Sequence, residues 1–216
     1  MAFSRVLLLV VVALISACAG QSKKSTDDTT EVEQPVTDVK DGQPIQKIPN
    51  PYLQQEQKAP AAAVAQYRQA LVAMQAEDWS TAKRTLTELV TNHPDLSGPH
   101  VNLGIVAWRQ NKLDDAESEF KQAIKVNALN NDAYNQLGLL QREQGRFKDA
   151  EQTYLKALQV WPHAPVTLRN LGILYDLYMG KLNEALAKYE LALKVLPEPD
   201  VQLQGWIIDL RRRLAN

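Results

Sequence analysis

The chain has 216 residues but only one cysteine, three histidines and nine glycines. His93, His100 and His163 do not share a metal-ligand spacing, and no glycine-rich phosphate loop is present. No catalytic constellation can be assembled from the remaining polar residues, so we expect a protein without enzymatic activity, metal or cofactor. The 24 Lys and Arg residues nearly balance the 25 Asp and Glu residues and are mixed with them. Nucleic acid therefore receives no electrostatic attraction as a partner.

Long hydrophobic runs are also lacking, apart from one at the N-terminus. It extends from Val6 to Ile15 after Arg5, and it is too short to span a bilayer comfortably. These properties are typical of a signal-peptide core. The run leads into Ile15-Ser16-Ala17-Cys18, which resembles the lipobox of bacterial lipoproteins. The resemblance implies cleavage after residues 1–17 and lipidation of Cys18; the alternative is an ordinary secretory signal with an incidental cysteine.

Two further observations favour the lipoprotein interpretation. A lone cysteine has no partner for a disulfide in an oxidising compartment, and several acyl chains on one residue make a stable membrane anchor. Ala19, rather than Asp, follows Cys18. By the sorting rules of the lipoprotein family, this predicts a lipid-anchored protein of the bacterial outer membrane that faces the periplasm.

Residues 18–60 form a polar segment with few large apolar side chains. Such a composition cannot bury enough apolar surface to offset the entropy of ordering, so it predicts a disordered tether. Residues 45–53 are more apolar than the rest. Two interpretations remain for them: a plain linker, which the composition favours, or a segment that docks on the folded part or on a partner.

The rest of the chain repeats with a period of about 34 residues. The dipeptides Leu103-Gly104, Leu137-Gly138 and Leu171-Gly172 recur at this interval. Small, aromatic and proline residues follow each dipeptide in register: Ala116, Phe120 and Ala123; Ala150, Tyr154, Ala157 and Pro162; Ala185, Tyr189, Ala192 and Pro197. A fixed period of this size indicates a solenoid of stacked helix pairs.

These residues resemble the tetratricopeptide-repeat family. The resemblance implies an all-α, right-handed superhelical solenoid of about four helix-turn-helix repeats over residues 61–199, with a capping helix at 200–216. The repeats are placed at 63–96, 97–130, 131–164 and 165–199, and the fourth has one extra residue between Asp176 and Gly180. We expect the mid-helix glycines to let the second helix of each repeat approach closely, and the prolines to end that helix.

In this family the first helix of each repeat lines a concave groove. Residue types enriched at binding hot spots, Trp108, Arg109 and Arg142, fall there, and aliphatic residues at one repeat position would offer an apolar surface to a peptide. Asparagines beside them could bind a peptide backbone; the alternative is that the aliphatic residues pack against helices of neighbouring repeats and the Asn and Gln side chains are only solvated. The implied groove residues are Tyr67, Leu71, Met74, Val101, Asn102, Ile105, Trp108, Arg109, Asn135, Gln136, Leu139, Arg142, Arg169, Asn170 and Ile173.

The combined features predict a non-enzymatic scaffold or adaptor lipoprotein that binds a protein client of the cell envelope. Because the family includes lipoproteins that assist type IV pilus secretins, the resemblance favours a pilotin-like role in the assembly of an envelope machine. Two alternatives remain open. One is an adaptor that recruits a periplasmic protease or cell-wall enzyme, and the other is a structural subunit of an energy-coupling or motility complex.

Overall fold

The computed structural model describes residues 45–55 and 59–216, and this part of the chain is all-α. A short helix, α1 (Pro51–Gln54), precedes four consecutive helix pairs and a final helix. The pairs are α2 (Ala61–Gln75) with α3 (Trp79–Asn92), α4 (Ser97–Arg109) with α5 (Leu113–Val126), α6 (Asn131–Glu143) with α7 (Phe147–Val160), and α8 (Pro165–Ile173) with α9 (Leu182–Val195); α10 (Val201–Leu214) follows. The predicted fold class is confirmed, whereas residues 1–17 and Cys18 lie outside the described residues.

The repeated glycines allow an aromatic ring to lie directly on helix A, the first helix of each repeat. A Cβ atom built on Gly104 would lie 2.4 Å from Phe120, and one on Gly138 would lie 2.5 Å from Tyr154. The fourth repeat has the same contact between Gly172 and Tyr189. All three rings are almost completely buried. Because each glycine lacks a side chain, helix B, the second helix of the repeat, can lie closer to helix A.

The turn from helix A to helix B has the same geometry in every repeat. Its residues Glu77, Asn111, Gly145 and Gly180 all have a positive φ, between 57° and 75°. In the third repeat Arg146 N–H donates to the carbonyl of Gln141, five residues earlier. In the fourth, Lys181 N–H donates to Tyr175, six residues earlier, and a π-helical turn (Leu174–Met179) continues α8. The extra residue of the fourth repeat is thus absorbed by this wider turn.

Helix B ends at the same place in each repeat, with or without a proline. Helices α3, α7 and α9 end two residues before Pro94, Pro162 and Pro197, as expected. The second repeat lacks this proline, and there Asn127 Oδ1 accepts a bond from Leu129 N–H that turns the chain. Asp200 Oδ1 caps α10 by accepting from Leu203 N–H at 2.9 Å.

The helices form two layers, with helices A on one side and helices B on the other. Successive helices A (α4, α6 and α8) pack against each other more closely than successive helices B do. The array therefore curves toward the A layer, which is the concave face. Helix α10 covers the apolar end of the last repeat with Leu203, Ile207 and Leu210, all buried. Within the described residues, no helix is both long and apolar enough to cross a membrane.

Candidate protein-binding site

An aliphatic side chain occupies the ninth position of all four repeats and is incompletely buried in each. Leu71 is 40% exposed, and Ile105, Leu139 and Ile173 are half-buried. These four residues, named the apolar track, lie on successive helices A. Two residues of the track also stabilise the fold, since Ile105 and Ile173 pack against the buried cores of their repeats. The track therefore combines packing with a remaining apolar surface on the concave face.

The asparagines beside the track are hydrogen-bonded within the array. Asn102 Nδ2 donates to the Tyr67 hydroxyl of the preceding helix A at 2.6 Å, and Asn135 Nδ2 donates to Asn131 Oδ1 of its own helix, α6, at 2.9 Å. Asn170 Nδ2 of α8 reaches Asn135 Oδ1 at 3.5 Å. Asn102 and Asn135 are buried. A peptide backbone bound by these amides would have to replace the bonds that they already make.

Several other predicted groove residues are also occupied by packing. Val101 is buried, and Trp108 packs edge-on against Phe120 with ring centroids 6.3 Å apart. Burial raises the pKa of Tyr67 to about 12, so its hydroxyl stays protonated. Arg169 forms an ion pair with Asp200, the cap of α10, at 2.5 Å. The side chains that remain accessible in the predicted set are Leu71 and Arg109, which are exposed, and Met74, Ile105, Gln136, Leu139 and Ile173, which are half-buried.

Arg142 has a distinct environment that the sequence did not predict. Its guanidinium carbon lies 5.7 Å from the ring centroid of Tyr178. Its Nε and Nη1 are buried and have no hydrogen-bond partner among the described residues. Tyr178 belongs to the π-helical turn and also contacts Phe147, with ring centroids 5.0 Å apart. The inserted turn thus places an aromatic cover over Arg142, so this arginine is less accessible than its repeat position implies.

Residues 45–55, named the strap, lie against the solenoid and are not a plain linker. Lys47 Nζ donates to the carbonyl oxygen of Leu196 at 2.9 Å. Ile48 N–H donates to His163 Nδ1 at 2.8 Å, and Trp161 Nε1 donates to the Ile48 carbonyl at 2.7 Å. The docked alternative for residues 45–53 is the one found. Residues 45–55 therefore do not belong to the disordered tether predicted for residues 18–60, and residues 18–44 and 56–58 lie outside the described part.

The remaining contacts of the strap continue to the second repeat. The Tyr52 hydroxyl is 3.2 Å from Ser97 Oγ, and Asn127 Nδ2 donates to Gln55 Oε1 at 2.7 Å. The strap's partners are named the corner row because they lie where helix B of one repeat leads into helix A of the next. The corner row comprises Ser97, Asn127, Trp161, His163 and Leu196.

His163 directly follows Pro162 and contacts the strap through its imidazole ring. Its Nδ1 accepts the Ile48 N–H bond, which requires an unprotonated Nδ1. Partial burial lowers the pKa of His163 and so favours the neutral ring. His100, in contrast, bonds Glu119 at 2.7 Å within its own repeat. Among residues 45–55 and 59–216, no group of three or more His, Cys, Asp or Glu side chains converges to hold a metal ion.

Ion pairs connect successive repeats at the start of helix B. Arg146 donates to both carboxylate oxygens of Glu117, at 2.6 and 3.0 Å. Lys181 makes the equivalent bond to Glu151 at 2.7 Å. The Arg146 bonds hold the pKa of Glu117 at about 2, despite the opposing effect of burial. These pairs stabilise the repeat-to-repeat stacking that keeps the concave face and the corner row in shape.

Comparisons with known proteins agree with this geometry. Two sequence models of the tetratricopeptide repeat match residues 101–165 and residues 64–96. The thermophilic tetratricopeptide-repeat protein TTC0263 of Thermus thermophilus is 27% identical and has a TM-score of 0.60, over 71% of this chain and 83% of that chain. No curated protein matches the sequence.

Two structures with lower sequence identity share the fold. PilF of Pseudomonas aeruginosa is 24% identical, with a TM-score of 0.64 over 71% of this chain and 69% of its own. YrrB, described as a tetratricopeptide-repeat protein with an unusual peptide-binding site, is 20% identical, with a TM-score of 0.54 over 68% of this chain and 75% of its own. Residues 64–96 and 101–165 are therefore tetratricopeptide repeats, and the helical array that contains them is a tetratricopeptide-repeat solenoid.

Proposed function

We propose that this protein is a lipid-anchored scaffold of the bacterial outer membrane, facing the periplasm, that binds a segment of an envelope protein on its concave face. Its role is to assist the assembly of an envelope machine of the type IV pilus or secretin kind. Tetratricopeptide repeats are protein-interaction scaffolds and are generally not enzymes, which agrees with a binding role.

The apolar track is the observation that supports client binding most directly. Leu71 and Leu139 keep accessible apolar surface at the ninth repeat position of their helices. Arg109, which is exposed, lies near the track and could pair with an acidic residue of a client. An amphipathic helix or an extended segment would bury the aliphatic row and leave its polar side to solvent. Removing such surface from water favours binding by about 25 cal/mol per Å².

A crosslinking experiment in the native envelope tests the concave face. A photoreactive amino acid replaces Leu139 on the track in one variant and Val72 in the control. Val72 is 65% exposed but lies next to Leu71 in sequence, about 100° around the same helix. We expect a specific crosslinked client from position 139 and none from position 72. Equal crosslinking at both positions would contradict a groove site.

Point changes then separate a groove adaptor from a subunit held by another face. Leu71→Glu and Arg109→Glu should each weaken the binding of the crosslinked client at least fivefold, because they place a charge on the track or reverse one beside it. Val72→Glu is the matched control and should leave binding unchanged. Arg142 is unsuitable for this test, because its burial beneath Tyr178 means that a charge reversal would disturb packing. A client that binds all variants equally would support the convex-face alternative.

The anchor is tested independently of the groove. Labelling of cells with a palmitate analogue should modify the wild-type chain and leave the Cys18→Ser variant unlabelled and released from the membrane fraction. Separation of inner and outer membranes then reports the location. Undiminished labelling of Cys18→Ser would exclude this residue as the lipidation site. The identity of the crosslinked client decides between pilus assembly and the recruitment of a protease or cell-wall enzyme.

A further inference from the structure

The strap follows one structural position through three successive repeats. With each repeat numbered from one, Asn127, Trp161 and Leu196 occupy equivalent places, position 31, after allowance for the extra residue in the fourth repeat. Each is the C-cap residue that directly follows the last residue of its helix B. Each also bonds the strap: Asn127 to Gln55, Trp161 to Ile48 and Leu196 to Lys47. The solenoid therefore presents a periodic line of hydrogen-bonding groups along its edge, apart from the apolar track.

At Ile48 this line binds the polypeptide backbone itself. The N–H of Ile48 donates to His163 and its carbonyl accepts from Trp161, so both main-chain groups of one residue are satisfied by side chains of the corner row. Pro49 follows and favours an extended conformation at Ile48. Recognition of this kind depends on backbone conformation more than on the identity of the side chain. It suits any extended segment in which a proline follows the bound residue.

The strap's apolar side chains are incompletely buried. Ile48 is 45% exposed and Leu53 is 76% exposed, whereas Ile45, Pro51 and Tyr52 are half-buried. Besides this partial burial, the segment is held by hydrogen bonds near the surface, each of which replaces a bond to water. Ordering the strap opposes these bonds through lost conformational entropy. An arrangement with this balance is able to open and to exchange one segment for another.

We propose that the corner row is a second peptide-binding site, specific for an extended segment in which a proline follows the bound residue, and that the strap is its resident ligand. A client segment of the same chemistry binds by displacing the strap. The site is separate from the apolar track and does not rest on the proposed function, because its contacts are made at the corners between helix B of one repeat and helix A of the next. Displacement would also release the strap, with its exposed Ile48 and Leu53, from the solenoid edge.

The probe is a fluorescein-labelled peptide of residues 45–55, titrated with full-length chains carrying Cys18→Ser and followed by fluorescence anisotropy. The strap-released chain adds Ile48→Pro, which removes the N–H donor, and Tyr52→Phe, which removes the hydroxyl bonded to Ser97. A tethered segment acts at an effective concentration of about 1 mM. If the free peptide has a Kd of about 0.1 mM, the resident strap should weaken its apparent affinity about tenfold. We therefore expect about tenfold tighter binding to the strap-released chain.

Site variants are made in the strap-released background. Trp161→Phe keeps an aromatic side chain but removes the indole N–H that donates to the bound carbonyl. His163→Leu removes the Nδ1 acceptor. Each change should weaken peptide binding at least fivefold. Trp206→Phe is the matched control, because Trp206 is a half-buried tryptophan that packs on Tyr189 in the last repeat. Its peptide affinity should not change. Leu139→Glu on the apolar track should also leave the affinity unchanged, which separates this site from the proposed groove.

Three results would overturn the proposal. The first is no peptide binding to the strap-released chain up to about 1 mM, the effective concentration assumed for the strap. The second is equal affinity for the intact and strap-released chains, which would mean that the strap does not occupy the site. The third is binding that neither Trp161→Phe nor His163→Leu weakens while circular dichroism shows both variants folded. If one variant fails to fold, the other still decides the question.

Discussion

Gly138→Ala and Gly205→Ala are the same substitution in two helices of this protein, yet we expect effects of opposite sign. Both glycines lie inside helices, α6 and α10. A Cβ on Gly138 would lie 2.5 Å from Cε1 of Tyr154 and within 3 Å of two further ring atoms. A Cβ on Gly205 would meet nothing within 4 Å. The pair therefore separates the intrinsic cost of glycine in a helix from its packing role.

The expected magnitudes follow from these distances. Alanine is favoured over glycine in a helix interior by about 1 kcal/mol, so Gly205→Ala should stabilise the protein by about 0.5–1 kcal/mol. At Gly138 the new methyl would be more than 1 Å inside the ordinary carbon–carbon contact distance of about 3.5–4.0 Å. The Tyr154 ring has no exposed surface into which it could shift. Overpacking of this kind costs about 1–3 kcal/mol or more, which exceeds the helix-propensity gain.

Urea unfolding followed by circular dichroism, with a thermal melt as a second measurement, compares the two variants. We expect the free energy of unfolding to fall by about 1–2 kcal/mol for Gly138→Ala, and the two variants to differ by about 2–3 kcal/mol. Because solenoid repeats do not always unfold as one unit, the slope of the transition should be checked for both. A change in slope would indicate that the repeats have uncoupled.

A double-mutant cycle decides whether the ring is the cause. In a Tyr154→Leu background the ring is absent, so Gly138→Ala should lose most of its destabilising effect, with a coupling of at least about 1 kcal/mol. The reasoning would be refuted if Gly138→Ala were as stable as Gly205→Ala, or if its cost were unchanged without the ring. Either result would mean that helix B approaches helix A for another reason.

Three further predictions concern the stability of the repeats. Glu117→Gln should destabilise by about 1–2 kcal/mol at pH 7, a value discounted for the solvent exposure of Arg146. Because the pKa of Glu117 is lowered from 4.5 to about 2 in the folded chain, its contribution to stability is present above pH 4.5 and lost as the pH falls toward 2. Urea unfolding at several pH values should therefore show the difference in unfolding free energy between wild type and Glu117→Gln shrinking as the pH falls. A difference that stays constant with pH would contradict this. Lys83→Glu should raise stability by about 0.5 kcal/mol, because Lys83 and Lys112 hold the repeat positions of the Glu117–Arg146 pair and line the same surface cavity; a lower thermal midpoint would count against it. Glu77→Gly should stabilise by about 1 kcal/mol, because Glu77 has a φ of 57° where glycine is not strained; a melt no higher than that of wild type would exclude this strain.

The sequence predicted the features that are shared by all repeats. The spacing of Leu-Gly dipeptides, small residues and aromatics indicated four helix pairs, and the structure has them with the glycine–aromatic contact in three repeats. Proline positions indicated where helices B end, and Asp200 indicated where α10 begins. These features follow from local packing and backbone geometry, which act the same way in every repeat and therefore leave a periodic pattern.

The hydrogen bonds of the groove residues could not be predicted, because a repeat position does not say which neighbour a polar side chain will bind. Asn102 and Asn135 lie at positions that face the concave side, but Tyr67 and Asn131 are close enough to bind their amides. Burial of an amide is acceptable only when it is hydrogen-bonded, so Asn102 bonds the preceding helix A and Asn135 bonds within its own helix. The extra residue in the fourth repeat was visible, but its consequence, Tyr178 placed over Arg142, required the geometry of the π-helical turn.

The corner row illustrates why periodic analysis overlooks a binding site in a solenoid. Position 31 is structurally equivalent in all four repeats, yet it holds four different kinds of side chain: His93, Asn127, Trp161 and Leu196. Selection for packing makes equivalent positions alike, whereas an asymmetric ligand requires a different group at each step. The backbone of Ile48 binds a donor, Trp161 Nε1, and an acceptor, His163 Nδ1, at one corner. The ammonium group of Lys47 binds the backbone carbonyl of Leu196 at the next corner. The positions at which geometry repeats and residue type does not are therefore where ligand contacts in such an array should be sought.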